Sequence, residues 1–226
     1  MRKIQRLAAV GAMAALTVAL GACSSSETPS AQAPASSAPS AAAEPTSAAA
    51  AESDGITTID DIFGPACNQV PTEGEGSAQG MINDPVATAA GNNPLLSTLV
   101  TAVGAVPDLG TTLNAAPELT VFAPYNDAFT NLAATVGQDA FDAILADPAQ
   151  LGPILQGHVS GTRYDAAGLV EAGSVDVLSG GTVTVAGTED APTFDLGGGV
   201  ANNLCGNVPT SNATVFVIDT VLLPAS

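Results

Sequence analysis

Apolar residues recur at helical spacing through the middle of this chain and at alternate positions towards its end. Leu95, Leu96, Leu99, Val100 and Val103 follow one helix face and begin behind Asn93-Pro94, a helix-start pair. Asp84-Pro85 predicts an earlier helix, with Asp84 as its cap and Pro85 in its first turn. Asn126 is placed to cap the helix that carries Phe129 and Leu132. Gln138–Ala146 predicts a helix with Phe141, Ile144 and Leu145 on one side. Asp147-Pro148 opens the next, which Pro153 should shorten or kink.

Strand patterns flank and follow these helices. Residues 119–123 predict a short strand ending at Pro124. Val175 and Val177, then Ser179-Gly180-Gly181, then Val183 and Val185 predict a β-hairpin. Residues 194–196 predict another short strand. Residues 213–223 predict a long one, so nearly continuous in apolar residues that both its faces should be covered. Helices early and strands late favour an α+β fold over a parallel doubly wound sheet.

The N-terminal quarter has a different pattern. Arg2, Lys3 and Arg6 precede an apolar run over residues 7–22. That run is shorter than the ~20 residues of a spanning helix, and it reads as a secretory signal over residues 1–22. Leu20-Gly21-Ala22-Cys23 has the form of a lipobox, which predicts cleavage before Cys23 and a diacylglycerol on its sulfur. An ordinary secretory signal is the alternative. Two acyl chains suffice for stable anchoring to a membrane. Residues 23–54 are almost entirely Ala, Ser, Pro and Thr and predict a disordered tether. Thr28, Thr46 and Ser47 are candidate O-glycosylation sites, with an unmodified linker as the alternative. Residues 55–226 suit one folded domain.

Charge narrows the function. The chain has 22 acidic residues and four basic ones, three of which lie in the leader. Arg163 alone remains, so the surface repels nucleic acid and anionic headgroups. With Cys23 assigned to lipid, Cys67 and Cys205 are an even pair in an oxidising compartment. They predict one disulfide, against the alternative of two buried thiols.

Chemistry is sparse. His158 is the single histidine, and no G-x-S-x-G elbow accompanies it. It reads as a packed or hydrogen-bonded residue rather than a catalytic one. No zinc or EF-hand spacing occurs, so no metal or other cofactor is expected. Asp60-Asp61 and Glu189-Asp190 read as solvated charge. Gly197-Gly198-Gly199 lacks the ending of a phosphate loop.

Three segments carry a family likeness. Residues 120–129 (TVFAPYNDAF), 154–164 (ILQGHVSGTRY) and 213–224 (ATVFVIDTVLLP) resemble, in order and spacing, the opening, central and closing signatures of the fasciclin family. Residues 60–226 are similar to its subgroup of surface lipoproteins and secreted antigens from mycobacteria and related actinobacteria. The resemblance implies a β-wedge of about seven strands with helices along one edge. It implies a bridge between a cysteine near the domain start and one before the last strand, in agreement with the count above. It also implies structural roles for Asn126, His158 and Asp219. Asp219 interrupts an apolar strand and should have a hydrogen-bond partner or an exposed edge, and with Asn126 it is expected to help join the opening and closing signatures. Two positions depart from the family: Gly157 stands where Tyr is frequent, and Tyr125 where Thr is frequent. Residues 207–210 (NVPT) lack the Asp-Ile pair that animal members use towards integrins.

The function expected is a non-catalytic adhesion or recognition module. It would be a monomer, anchored through Cys23 on the outer face of the cell membrane and in part shed. Its partner would be a surface protein, a glycan or a host receptor. The alternative is a carrier of an apolar or glycan ligand, with Leu95, Leu99, Phe129 and Phe141 around it.

Overall fold

A computed structural model describes residues 54–225. The leader, Cys23, the tether, and Thr28, Thr46 and Ser47 lie outside the described residues. The first part of the described chain is helical: α1 (Ala78–Met81), α2 (Val86–Asn92), α3 (Ser97–Ala105) and α4 (Leu109–Ala115) precede β1 (Leu119–Pro124). Then come α5 (Asn126–Val136), α6 (Gln138–Ala146), α7 (Pro148–Gln156), β2 (Val159–Ser160) and α8 (Ala166–Ala172). The rest is sheet: β3 (Ser174–Asp176), β4 (Thr182–Thr188), β5 (Ala191–Asp195), β6 (Val200–Pro209) and β7 (Ala213–Ile218). The fold is α+β.

The seven strands form one sheet in the order β2-β1-β7-β6-β5-β4-β3. Only β1 and β7 pair in parallel, in register from Leu119 opposite Ala213 to Pro124 opposite Ile218. The sheet curls until its ends approach: just past β3, the Leu178 amide donates to the Val159 carbonyl in β2 at 2.8 Å. It is a nearly closed barrel with α1–α7 stacked on one side, while α8 packs into the other core against β3 and β4.

Strand alternation divides the interior into two cores. Val121, Ala123, Val215 and Val217 face the helices and pack with Leu99, Leu113, Phe129 and Leu155. Phe122, Phe216 and Ile218 face into the curl with Val175, Val183, Val185 and Phe194. The rings of Phe122 and Phe194 lie 4.6 Å apart, and those of Phe194 and Phe216 meet edge to face at 5.7 Å. Because β1 and β7 are covered on both sides, every residue of each is buried.

Several expectations need correction. Asp84 does not cap α2; that helix begins one residue later than Pro85, and its first amides are capped from a distance. Asn126 does not cap α5, whose N-cap position is Tyr125 and has no side-chain cap. The last strand ends at Ile218, because the Asp219 carboxylate takes the place of the next ladder bond. Pro153 lies inside α7, which continues three residues beyond it to Gln156. The strand expected at 194–196 lies earlier, over Ala191–Asp195. The expected hairpin is present, with Val175 opposite Val183 and Gly180 at φ +83° in the turn.

Cys67 and Cys205 are bridged, with Cα atoms 4.9 Å apart across a sequence separation of 138. Beside the bridge, Phe63 and Gly206 exchange amide–carbonyl bonds, and the Ala66 amide donates to the Leu204 carbonyl at 3.0 Å. The segment that enters the domain is thus stapled to β6. The loop-entropy estimate for a closure of this length is up to ~5 kcal/mol.

Candidate functional site

The three signature segments meet around His158. The residue follows α7 and sits between both cores, 2 % exposed. Its Nδ1 lies 2.8 Å from the Ile154 carbonyl, and its Nε2 accepts from the Leu222 amide at 2.9 Å. An amide donor at Nε2 requires that nitrogen to be unprotonated, so the proton sits on Nδ1 and goes to Ile154. The His158 carbonyl accepts from the Phe122 amide at 2.8 Å. One residue therefore ties α7, β1 and the segment after β7. Burial depresses the imidazole pKa to about 4, opposed by its bond to Ile154. Neither ring nitrogen bonds a hydroxyl, thiol or carboxylate, so the triad arrangement is missing at this histidine.

Asn126 opens α5 but works on other elements. Its Oδ1 accepts from the Thr98 amide at 3.0 Å, and its Nδ2 donates to the Pro94 carbonyl at 2.9 Å. It pins the start of α3 against the start of α5. Asp219 has different partners: its carboxylate accepts from the amide and side chain of Asn202, both at 2.8 Å, and from the Thr220 hydroxyl. Neither side chain bridges the opening signature to the closing one, contrary to the expectation above. The opening and closing signatures are joined by the β1–β7 ladder, extended by the Tyr125 amide donating to the Ile218 carbonyl at 3.2 Å. Burial raises the Tyr125 phenol pKa, and the Asp127 and Asp219 carboxylates add to it.

Two threonines opposite one another on β1 and β7 organise the chain around Arg163. The Thr120 hydroxyl donates to the Thr162 carbonyl and accepts from the Tyr164 amide, both at 2.8 Å. The Thr214 hydroxyl donates to the Gly55 carbonyl and accepts from Arg163 Nε. Arg163 Nη2 donates to the Thr210 and Ala213 carbonyls at 3.1 and 3.0 Å. The domain's one cation thus braces backbone, and partial burial lowers its pKa. Gly55 sits at φ +69° where an added Cβ would strike the Arg163 carbonyl, so a side chain is excluded there.

Sequence reasoning missed Asn212. Its Oδ1 accepts from the Val86 amide at 2.9 Å, and its Nδ2 donates to the carbonyls of Leu113 and Ala116. It is the remote cap of α2 and ties α4 as well, and Asn114 caps the next amide, that of Ala87. No local signal marks a cap that comes from so far along the chain.

The remaining candidates have local roles. The Asp61 carboxylate accepts from the Thr58 amide and hydroxyl, which lowers its pKa. Asp195 accepts from the Gly197 and Gly199 amides, so the glycine run turns those donors onto its own carboxylate. α8 is capped by the Asp165 side chain, which accepts from the Gly168 amide, and the distant Asn207, at φ 56°, accepts from the Ala166 amide. Among the described residues, no group of three or more His, Cys, Asp or Glu is placed to hold a metal ion, and no single helix is long and apolar enough to cross a membrane.

A cavity of about 60 Å³ adjoins His158, lined by side chains of α2, α3, α4, α7, β1 and β2. Leu99 lines it; Leu95, Phe129 and Phe141 do not. Phe129 and Phe141 instead share a void of about 40 Å³ on the other side of Leu155.

Comparison with known proteins agrees with this architecture. The chain is 41 % identical over 226 residues to the cell surface glycolipoprotein MPB83 of Mycobacterium bovis, covering 96 % of this chain and 95 % of the relative. It is 40 % identical over 172 residues to the immunogenic protein MPB70 of the same species, covering 73 % of this chain and 83 % of that one. The fasciclin domain pair of the insect cell adhesion molecule Fasciclin I superposes with a TM-score of 0.55 at 17 % identity, over 64 % of this chain and 52 % of that one; this likeness concerns fold alone. The model of the fasciclin domain matches residues 94–224, and the chain belongs to the fasciclin family.

Proposed function

We propose that this protein is a non-catalytic module, lipid-anchored at the outer face of the cell envelope, that presents its folded surface for adhesion or recognition. The observation that carries this reading is the end-to-end similarity to a cell surface glycolipoprotein. The uncovered remainder of the chain is shorter than the 22 residues before Cys23, so the matched region spans the lipobox. The thioether-linked diacylglycerol at Cys23 holds the protein to the membrane, and the tether of residues 23–54 sets the domain off from it. Glycans at Thr28, Thr46 or Ser47 would stiffen that tether. The partner is a surface protein, a glycan or a host receptor met outside the cell. Nucleic acid is disfavoured by the acidic surface.

The side chains support this reading. His158, Asn126, Asp219, Arg163 and Asn212 all direct their polar groups at backbone or at neighbouring side chains of the fold. Such groups hold a surface in shape. The test is competition: cells displaying the protein should bind matrix or host cells, and the same domain in solution should block that binding. Binding no greater than that of an inert lipoprotein of equal charge would reject the proposal.

A further inference from the structure

The helical layer is incompletely packed. The cavity beside His158 has aliphatic walls that include Val86, Ala90, Leu99, Val103, Leu113 and Leu155. A second void of about 30 Å³ lies across Leu99, which lines both, and the void of about 40 Å³ lies across Leu155, which also lines two. Protein interiors ordinarily hold few voids larger than a water molecule. Each is well below the ~150 Å³ of a single aliphatic cavity that stays dry and takes up benzene or xenon, and only joined together would they come near it. The first cavity reaches the surface between α2 and α3, where Ala90 and Val103 are only half-buried.

The charge around this opening is unlike the rest of the molecule. Residues 85–107 carry no charged side chain, in a chain with 22 acidic residues. Arg163 does not line the cavity, and its guanidinium is held by Thr210, Ala213 and Thr214. His158, on the cavity wall, is neutral and has both ring nitrogens engaged. A carboxylate or phosphate at the opening would find no counter-charge, whereas an uncharged head left in water at the opening, with its aliphatic chain inside, would bury no charge.

We propose that this cavity binds the aliphatic chain of an uncharged lipid. The chain enters between α2 and α3, and rotamer changes at Leu99 and Leu155 join the three voids into one channel. The site is independent of the adhesive role: it lies in the helical layer and needs no partner protein.

The probes are monocaprin, an uncharged ten-carbon monoacylglycerol, and decanoate, its anionic fatty acid. They are titrated into the full chain carrying Cys23→Ala, so that no attached acyl group competes, and methyl NMR is followed. Monocaprin should give saturable shifts at the methyls of Leu99, Val103 and Leu113, and decanoate should bind at least tenfold more weakly. Val103→Glu should weaken monocaprin at least tenfold while the methyls packed on Phe122, Phe194 and Phe216 keep their shifts. If Val103→Glu does not fold, Ala90→Leu, which fills the opening, should give the same loss. Absence of saturable shifts at those methyls, saturation elsewhere in the domain, or equal affinity for the two probes would overturn the proposal.

Discussion

The imidazole of His158 accepts the amide hydrogen of Leu222 at 2.9 Å, across 64 positions of sequence. This bond fixes the segment after the last strand onto the end of α7 and so joins the central signature to the closing one. It also fixes the charge of the ring. An imidazolium could not accept that hydrogen, and it would be buried among aliphatic side chains.

Acid stability follows with a definite sign. The folded pKa of His158 is depressed to about 4 from an ordinary 6.5, so below pH 6.5 the unfolded chain binds a proton that the folded chain does not. The histidine's contribution is complete above pH 6.5, declines as pH falls, and levels off below about 4. The loss is on the order of 3 kcal/mol. Urea unfolding between pH 4 and 7 should show this slope, and His158→Gln should flatten it relative to the parent. Parallel pH profiles for the two proteins would contradict the bond.

Asn126→Ala should cost about 1–2 kcal/mol by uncapping α3 and releasing the Pro94 carbonyl. Asn126→Asp, which keeps an acceptor for Thr98 but loses the donor to Pro94, should fall between. Chemical denaturation of the two variants distinguishes this from a role in capping α5, for which the aspartate would serve as well as the parent.

Asn212→Ala should be worse, at about 2–4 kcal/mol. It leaves the Val86 amide and the carbonyls of Leu113 and Ala116 without their buried partner. Hydrogen exchange should quicken first at the start of α2. Unchanged exchange there would reject the remote cap.

Asp219→Ala should lower stability by about 1 kcal/mol, because the carboxylate receives the Asn202 amide and side chain where β7 leaves the sheet. A melting temperature within about one degree of the parent would show that solvent replaces those bonds without loss.

Replacing Cys67 and Cys205 together by alanine should cost about 2–5 kcal/mol. The segment around Phe63 and Ala66 should lose exchange protection at its bonds to Gly206 and Leu204 before the rest of the sheet does. Equal stability of the oxidised protein and the double variant would remove the staple from the account of the fold.

What was legible in the sequence was whatever is encoded locally. The helix over Gln138–Ala146 and the hairpin around Gly180 repeat their own periodicity, and Cys67 and Cys205 are a pair by count. The longest strand, Val200–Pro209, was not legible. Its asparagines, glycine and proline break the alternation, and its pairing with β7 shifts register twice between Asn203 and Val208. The caps were misread for a related reason. Asn126 looks like a local cap and Asn212 drew no reading at all, because the amides they receive come from helices in other parts of the chain. The packed role of His158 was legible because no G-x-S-x-G elbow accompanies it and the two cysteines of the domain pair with each other. The cavity beside it was not, because a void is a property of how six elements meet.

Intact mass spectrometry of the protein extracted from native membranes tests the surface-display reading most directly. The expected species begins at Cys23, carries a diacylglycerol, and retains the Cys67–Cys205 bridge. A species that keeps Met1, lacks lipid and is recovered with reduced thiols from the cytosol would contradict it.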